Sequence, residues 1–314
     1  MRIQPVCQHS AGEGRAGVPL CKDLMSESRR PSRDRRSKPD FSFRAPPEGG
    51  VEPYALGESR IAAPSLPGEV IAIESIDELI DRLAADLVIH SENCVREFGD
   101  FHLALSGGRT PLPLYERLMY DPNCRRLPWR RTHLWLVDER CVPFDDASSN
   151  FRAIDETIVD HSDIPREQVH PIFALGDRAD EQYEAELREN LAWREKGQDR
   201  LDYVLLGMGA DGHTASLFPH TEPLRERQRL VRFNVAPDAT PSKRVTMTYP
   251  LINSARFVAV MVTGRAKAAT LQRVGDADLG TDDLPIKGVD PSSGELRWYL
   301  DAEACGAESE SPKR

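Results

Sequence analysis

The run DYVLLGMG at residues 202–209 is almost continuously apolar and ends in glycine. A strand this uniform has no face to offer water, so it belongs inside a sheet covered on both sides, the environment of parallel strands. The flanking sequence repeats the signal. EVIAI (69–73), FHLALS (101–106) and THLWLVDE (132–139) read as strands, and HPIF (170–173) as a short one. LVRFNV (230–235), RVTMTY (244–249), RFVAVMVTG (256–264) and LRWYL (296–300) add four more. Helices fall between them. Ser75-Ile-Asp-Glu78 is a capping box that opens an amphipathic helix running to Glu97. Pro111 marks the first turn of another, and helical stretches follow at 150–160, 180–195 and 265–274. This alternation predicts an α/β fold: one doubly wound, mostly parallel sheet with helices on both faces, in a single domain over residues 67–303.

Composition bounds the rest. Of 314 residues, 39% are apolar, enough for a substantial core. The net charge of −10 is uneven, because residues 1–60 carry 11 Lys/Arg against 8 Asp/Glu and the remainder is strongly acidic. An acidic body gives a phosphate backbone no track to follow, so no nucleic-acid partner is expected. A phosphorylated small molecule needs only one local cationic pocket. Cys7, Cys21, Cys94, Cys124, Cys141 and Cys305 form no C-x-x-C pair and no regular spacing. That usage suits a reducing compartment, hence the cytoplasm, rather than a disulfide framework or a zinc site. No run of roughly 18 apolar residues is present, so no membrane partner is expected, and the N-terminus has no apolar signal core. Residues 1–66, rich in Arg, Ser and Pro, read as a solvated tail, and 304–314 as a second, frayed one. A monomer or weak homo-oligomer is expected.

The chemistry-bearing residues gather in four loops, each directly after a predicted strand: SGGRTP (106–111), DERCVP (138–143), GMGADGHTAS (207–216) and GRAK (264–267). In an open α/β sheet, ligands bind beyond the carboxyl ends of the strands, where helix N-termini also point. In the first loop, Gly107 and Gly108 let backbone N–H groups approach an anion, and Ser106 and Thr110 add hydroxyls beside Arg109. The alternative is a glycine turn needed only to reverse the chain. In the second, Asp138 and Glu139 are suited to sugar hydroxyls and Arg140 to an anion, unless the three are a solvated strand end. Lys267 sits in the first turn of a helix, where a cation is unfavourable unless it shares an anion. Arg244, opening RVTMTY, is a further cation.

Read literally, Gly207-x-Gly209-x-x-Gly212 is the dinucleotide fingerprint. That motif should open into a long crossover helix, and here His213 follows while Pro219 and Pro223 interrupt any such helix. His213 has Asp211 two positions earlier, with Gly209 and Gly212 beside them. Imidazole is the natural general base near neutral pH, and a carboxylate can fix its tautomer; Asp211 and Asp138 are both candidates for that partner. The other histidines of the central region, His90, His102, His133, His161, His170 and His220, read as structural. No G-x-S-x-G elbow and no H-E-x-x-H motif occurs. An anion cradle with a general base suits addition of water to an electrophilic carbonyl.

Taken together, ALSGGRTPLPLYERL, LWLVDERCVPFDDASSNF, LDYVLLGMGADGHTASLFP and KRVTMTYPLINSARFVAVMVTGRAKA closely resemble the 6-phosphogluconolactonase family, over roughly residues 69–300 and in family order. The resemblance implies hydrolysis of 6-phospho-D-glucono-1,5-lactone to 6-phosphogluconate, with His213 activating water. It also implies that the SGG-x-TP loop, Arg140, Arg244 and Lys267 hold the phosphate and sugar acid, with no cofactor and no metal. Gly209, Gly212 and Glu139 are grouped with these binding positions, and Asp138 and Asp211 with the catalytic ones. The rival reading is a glucosamine-6-phosphate deaminase, whose histidine loop typically runs G-H-x-A-F-N-E-P. Ser216-Leu217-Phe218 stands in that segment here, and the glutamate is missing. A third reading, a non-catalytic sugar-phosphate sensor, would normally add a DNA-binding module, and residues 1–66 hold no helix-turn-helix pattern.

Overall fold

The computed structural model describes residues 61–307. The expected tails lie outside these residues except at their inner ends, and there packing continues past the assigned boundaries. Leu66 packs on the core, Trp298 Nε1 donates to Pro67 O at 2.8 Å, and Ala304 is fully buried.

In chain order the elements are β1 (Glu69–Ile73), α1 (Ile76–Phe98), β2 (Phe101–Leu105), α2 (Leu112–Tyr120), β3 (Thr132–Leu136), β4 (Asp138–Arg140) and α3 (Asn150–Thr157). There follow β5 (Val169–His170), α4 (Ala179–Leu191), β6 (Tyr203–Gly207), β7 (Val231–Val235), β8 (Lys243–Met247) and α5 (Tyr249–Ile252). The last are β9 (Phe257–Val262), α6 (Ala268–Val274) and β10 (Glu295–Asp301). Helix α1 begins as its capping box predicts: the Ser75 side chain accepts from Glu78 N, and Gly99 closes the helix at φ +91°. Leu79, Leu83 and Leu87, spaced four apart, form one fully buried stripe. Each contributes about 1.5–3 kcal/mol by leaving water.

Seven strands form a parallel sheet in the order β1-β10-β9-β6-β2-β3-β5. Every residue of β2 and β9 is buried, so both faces are covered, as the apolar runs required. From β2 the chain winds outward through β3 and β5. It then returns to place β6 on the other side of β2 and continues outward through β9 and β10. The winding direction therefore reverses between β2 and β6, and at such a switch point the loops leaving the two carboxyl ends diverge and open a crevice.

THLWLVDE is not one strand, and LVRFNV and RVTMTY do not join the large sheet; β4, β8 and β7 form a separate antiparallel sheet. Val137 is the joint. Its N–H donates to Leu105 O at 3.0 Å in the large sheet, while its carbonyl accepts from Met247 N at 2.9 Å in the small one. The chain thus leaves β3 at its carboxyl end and carries Asp138, Glu139 and Arg140 out of the parallel sheet. A strand signal alone cannot show such a break, since the chain enters a second ladder one residue after leaving the first. HPIF contributes only His170 to a strand.

Across β2, β3 and β5, His102 stacks on His133, His133 on His170, and His170 on Trp135. His170 Nδ1 lies 2.6 Å from Glu186 Oε1, and His133 Nδ1 lies 3.0 Å from His170 Nε2. Burial, reinforced by His102 and His170, pushes the His133 pKa down to about 4, and burial lowers His90 likewise to about 4. An unfolded histidine takes up its proton near 6.5, so between about 6.5 and 4 the unfolded chain binds more protons than the folded one. Stability must therefore fall as pH drops through that window. Melting temperature measured from pH 7.5 to 5 should decline below about 6.5, and His133→Gln should decline less steeply. Parallel slopes for the two proteins would show that His133 is not linked to folding.

Candidate active site

The loops after β2 and β6 meet at the switch point, and the chain after Val137 closes a third side. Together with Met261 at the end of β9 and Lys267 before α6, they line a cleft of about 190 Å³. That is below the roughly 300–1,000 Å³ of sites that bury drug-sized ligands, so it suits one small sugar rather than a dinucleotide.

The glycine triplet after β6 serves a compact loop. Gly209 N donates to His213 O at 2.8 Å and Gly212 N to Gly209 O at 3.1 Å, and no crossover helix follows. His213 Nδ1 lies 2.5 Å from Asp211 Oδ1. A Cβ on Gly209 would fall 2.1 Å from His213 Nδ1 and 2.4 Å from Asp211 Oδ1, so only glycine leaves room for the pair. Partial burial raises the Asp211 pKa, but the hydrogen bonds from the ring and backbone N–H of His213 outweigh it and the net shift is downward. Asp211 thus stays ionised and holds a proton on Nδ1. With Nδ1 so occupied, Nε2 is the ring nitrogen that can accept a proton, in a side chain 32% exposed that lines the cleft.

Asp138 is buried in the cleft wall and does not meet His213. Ser216 Oγ donates to its Oδ2 at 2.6 Å and Asn150 Nδ2 to its Oδ1 at 3.3 Å. Of the two carboxylates considered as orienters, the structure brings Asp211 to the histidine.

Arg140 and Arg244 are directly opposed across β4 and β8. Like charges in that relation repel. The hydrogen bonds that hold them go to backbone carbonyls: Arg140 NH1 to Ser148 O at 2.6 Å and Arg244 Nε to Pro241 O at 2.8 Å. Burial pushes the pKa of Arg244 down, and burial does the same to Lys267 across the cleft. Among the described residues none of these three cations has a carboxylate within ion-pair distance. Arg244 is buried and Arg140 and Lys267 partly so; with no ion pair of their own, three cations facing one concavity can hold an anion.

Other predicted positions divide. Ser106, Gly107, Gly108 and Thr110 line the cleft. Gly107 packs so tightly on Asn150 that a Cβ would fall 1.8 Å from Oδ1. Three positions do not line it. Arg109 is exposed beside the cleft-lining Gly108 and Thr110. Gly212, at φ +81°, is packed against Leu284. Glu139 is fully buried, and its oxygens accept from Arg140 N, Asn150 N and Phe151 N at 2.7–2.8 Å and from Ser149 Oγ at 3.1 Å. It satisfies the free N–H groups that begin α3. Burial pushes its pKa up against those donors.

Sequence reasoning missed Asn150, Ser216 and Phe218. Ser149 could be read as a helix cap, but nothing local shows that Asn150 and Ser216, 66 residues apart, clamp one aspartate. Asp100, His102 and His133 offer ligand atoms within 4.8 Å of one another. Trp135 Nε1 donates to His102 Nδ1 at 3.1 Å, however, so the neutral ring keeps its proton on Nε2, the nitrogen 3.6 Å from Asp100. A nitrogen protonated there is no metal ligand.

Residues 74–298 match the family described as glucosamine-6-phosphate isomerases/6-phosphogluconolactonase. A 6-phosphogluconolactonase of Nostoc sp. is 38% identical over 249 residues, 77% of this chain and 96% of that protein. The human GDH/6PGL endoplasmic bifunctional protein is 41% identical over 236 residues, 73% of this chain. The match spans only 29% of that longer protein. The crystal structure of 6-phosphogluconolactonase from Thermotoga maritima is 30% identical with a TM-score of 0.64, covering 74% of this chain and 99% of that one. A monomeric glucosamine-6-phosphate deaminase, 21% identical with a TM-score of 0.64, shares the fold. The chain belongs to the glucosamine-6-phosphate isomerase/6-phosphogluconolactonase family.

Proposed function

We propose that this protein is a 6-phosphogluconolactonase, which hydrolyses 6-phospho-D-glucono-1,5-lactone to 6-phospho-D-gluconate in the oxidative pentose phosphate pathway. The observation that carries the proposal is the Asp211–His213 pair opening on a cleft whose other walls present Arg140, Arg244 and Lys267 without counter-ions. The cations, with Ser106, Gly107, Gly108 and Thr110, bind the phosphate and the sugar acid. His213 Nε2 takes a proton from water as its oxygen adds to the lactone carbonyl, and Asp211 stabilises the imidazolium that forms. The tetrahedral oxyanion collapses, the bond from C1 to the ring oxygen breaks, and the ring oxygen takes the proton back from His213. The acid product then ionises, releasing one proton. The residues named suffice for this sequence without a cofactor.

The four cysteines among the described residues, Cys94, Cys124, Cys141 and Cys305, are free. Together with an acidic body, this supports a cytoplasmic location and no nucleic-acid partner. Among the described residues no helix is long and apolar enough to cross a membrane.

The deaminase reading differs in substrate, so freshly generated lactone and glucosamine 6-phosphate, assayed side by side, separate the two. Turnover of the lactone alone is expected; release of ammonia from glucosamine 6-phosphate would favour the rival. His213→Asn keeps size and polarity but loses the titratable nitrogen. Once spontaneous hydrolysis is subtracted, its turnover should drop roughly 10²–10⁴-fold with binding little changed. Retention of more than about a tenth of wild-type turnover would make His213 structural.

Arg140→Ala, Arg244→Ala and Lys267→Ala should each chiefly raise KM for the phosphorylated lactone. Unphosphorylated gluconolactone should be a poor substrate and should respond far less to these changes. Equal use of both lactones by the wild type would rule out a phosphate site.

A further inference from the structure

Phe218 does not line the cleft, yet its ring touches two groups that do. One face stacks on His213, with ring centroids 4.3 Å apart at 27°. The Arg244 guanidinium lies over the same ring, with Cζ 5.6 Å from the centroid. One aromatic ring therefore contacts both the histidine of the acid–base pair and a cation of the anion site.

The backbone around this ring is strained and held. Ala215 (φ +50°) and His220 (φ +61°), neither of them glycine, adopt left-handed conformations on either side of Phe218. Such conformations persist only where the surroundings over-determine them. Ser216 N donates to Thr246 Oγ1 at 3.1 Å, and Asn234 Nδ2 donates to Ser216 O at 2.8 Å. His220 N donates to Asp282 O at 3.0 Å. These ties come from β8, β7 and the segment before residues 285–288, so three separate parts of the chain fix where Phe218 projects.

We propose that Phe218 is a positioning residue that holds the base and the anion-binding arginine in register. This inference rests on the lactonase reading. A histidine tied to one carboxylate through Nδ1 can still rock about that hydrogen bond, which swings Nε2 away from the attacking water. A ring face packed against the imidazole removes that freedom. The same ring gives Arg244 a cation–π contact, partly replacing the solvation it loses on burial. Phosphate captured at Arg244 thus lies at a set distance from the base, and the lactone carbonyl of the same molecule arrives where Nε2 points.

The test compares Phe218→Leu, which keeps apolar bulk but loses the aromatic face, with Phe218→Tyr, which keeps the face. The Leu variant should lose roughly 5- to 50-fold in kcat with a smaller rise in KM, and Tyr should stay near wild type. In a double-mutant cycle with Arg244→Lys the two losses should be non-additive. A crystal structure of the Leu variant provides a readout independent of substrate, and it should show the His213 ring displaced from its pose against Asp211. Wild-type kcat in the Leu variant, or equal loss in Leu and Tyr, would overturn the proposal. So would an unmoved His213 ring. Absence of lactone turnover in the wild type would instead refute the lactonase reading, and the crystallographic comparison would still decide the role of Phe218.

Discussion

Two guanidinium groups face each other across a pair of antiparallel strands, and among the described residues neither has a carboxylate within ion-pair distance. The register that buries Asp138, Glu139, Val245 and Thr246 also sets Arg140 directly opposite Arg244. The other end of the sheet is different. There, every strongly buried arginine has its carboxylate: Arg194 pairs with Asp100 and Asp202, Arg256 with Asp202, and Arg297 with Asp86 and Glu69. Removing one partner from such a pair leaves a stranded charge and is strongly destabilising. The amino ends of the strands are thus electrostatically complete, and the carboxyl ends are not. The missing negative charge is what a phosphorylated substrate would bring.

The division follows from topology. A parallel sheet sends all its carboxyl ends one way, and the reversal between β2 and β6 opens the crevice there. The small antiparallel sheet then acts as a wall, because Val137 hands the chain from one sheet to the other and delivers Asp138 and Arg140 into the opening. Glu139, between them, points away and ties that wall to α3. Three consecutive charged residues therefore have three different surroundings.

Much of this was legible in the sequence. Strands buried on both faces advertise themselves by unbroken apolar runs, so the parallel sheet could be read directly. The histidine loop was legible because Asp211 and His213 are two apart and bond locally. What escaped was long-range. Whether Arg109 or Arg140 enters the cleft depends on which side of a turn faces inward. The fate of Glu139 depends on α3 beginning beneath it. The second sheet escaped because a strand signal does not show its partners: β4 is only Asp138–Arg140, and its antiparallel pairing with β8, and of β8 with β7, is made by residues far apart in sequence. Asn150 and Ser216 carry no local mark of the aspartate they share.

The central claim is spatial: the unpaired cations receive the charged end of a sugar phosphate while its C1 carbon lies against His213. A crystal structure with 6-phospho-D-gluconate bound measures this directly. The account predicts phosphate oxygens hydrogen-bonded to the Arg140, Arg244 and Lys267 group. It also predicts the C1 carboxylate within roughly 2.6–3.2 Å of His213 Nε2, the reach of a general base. A product molecule bound with C1 remote from His213, or seated outside this cleft, would contradict it.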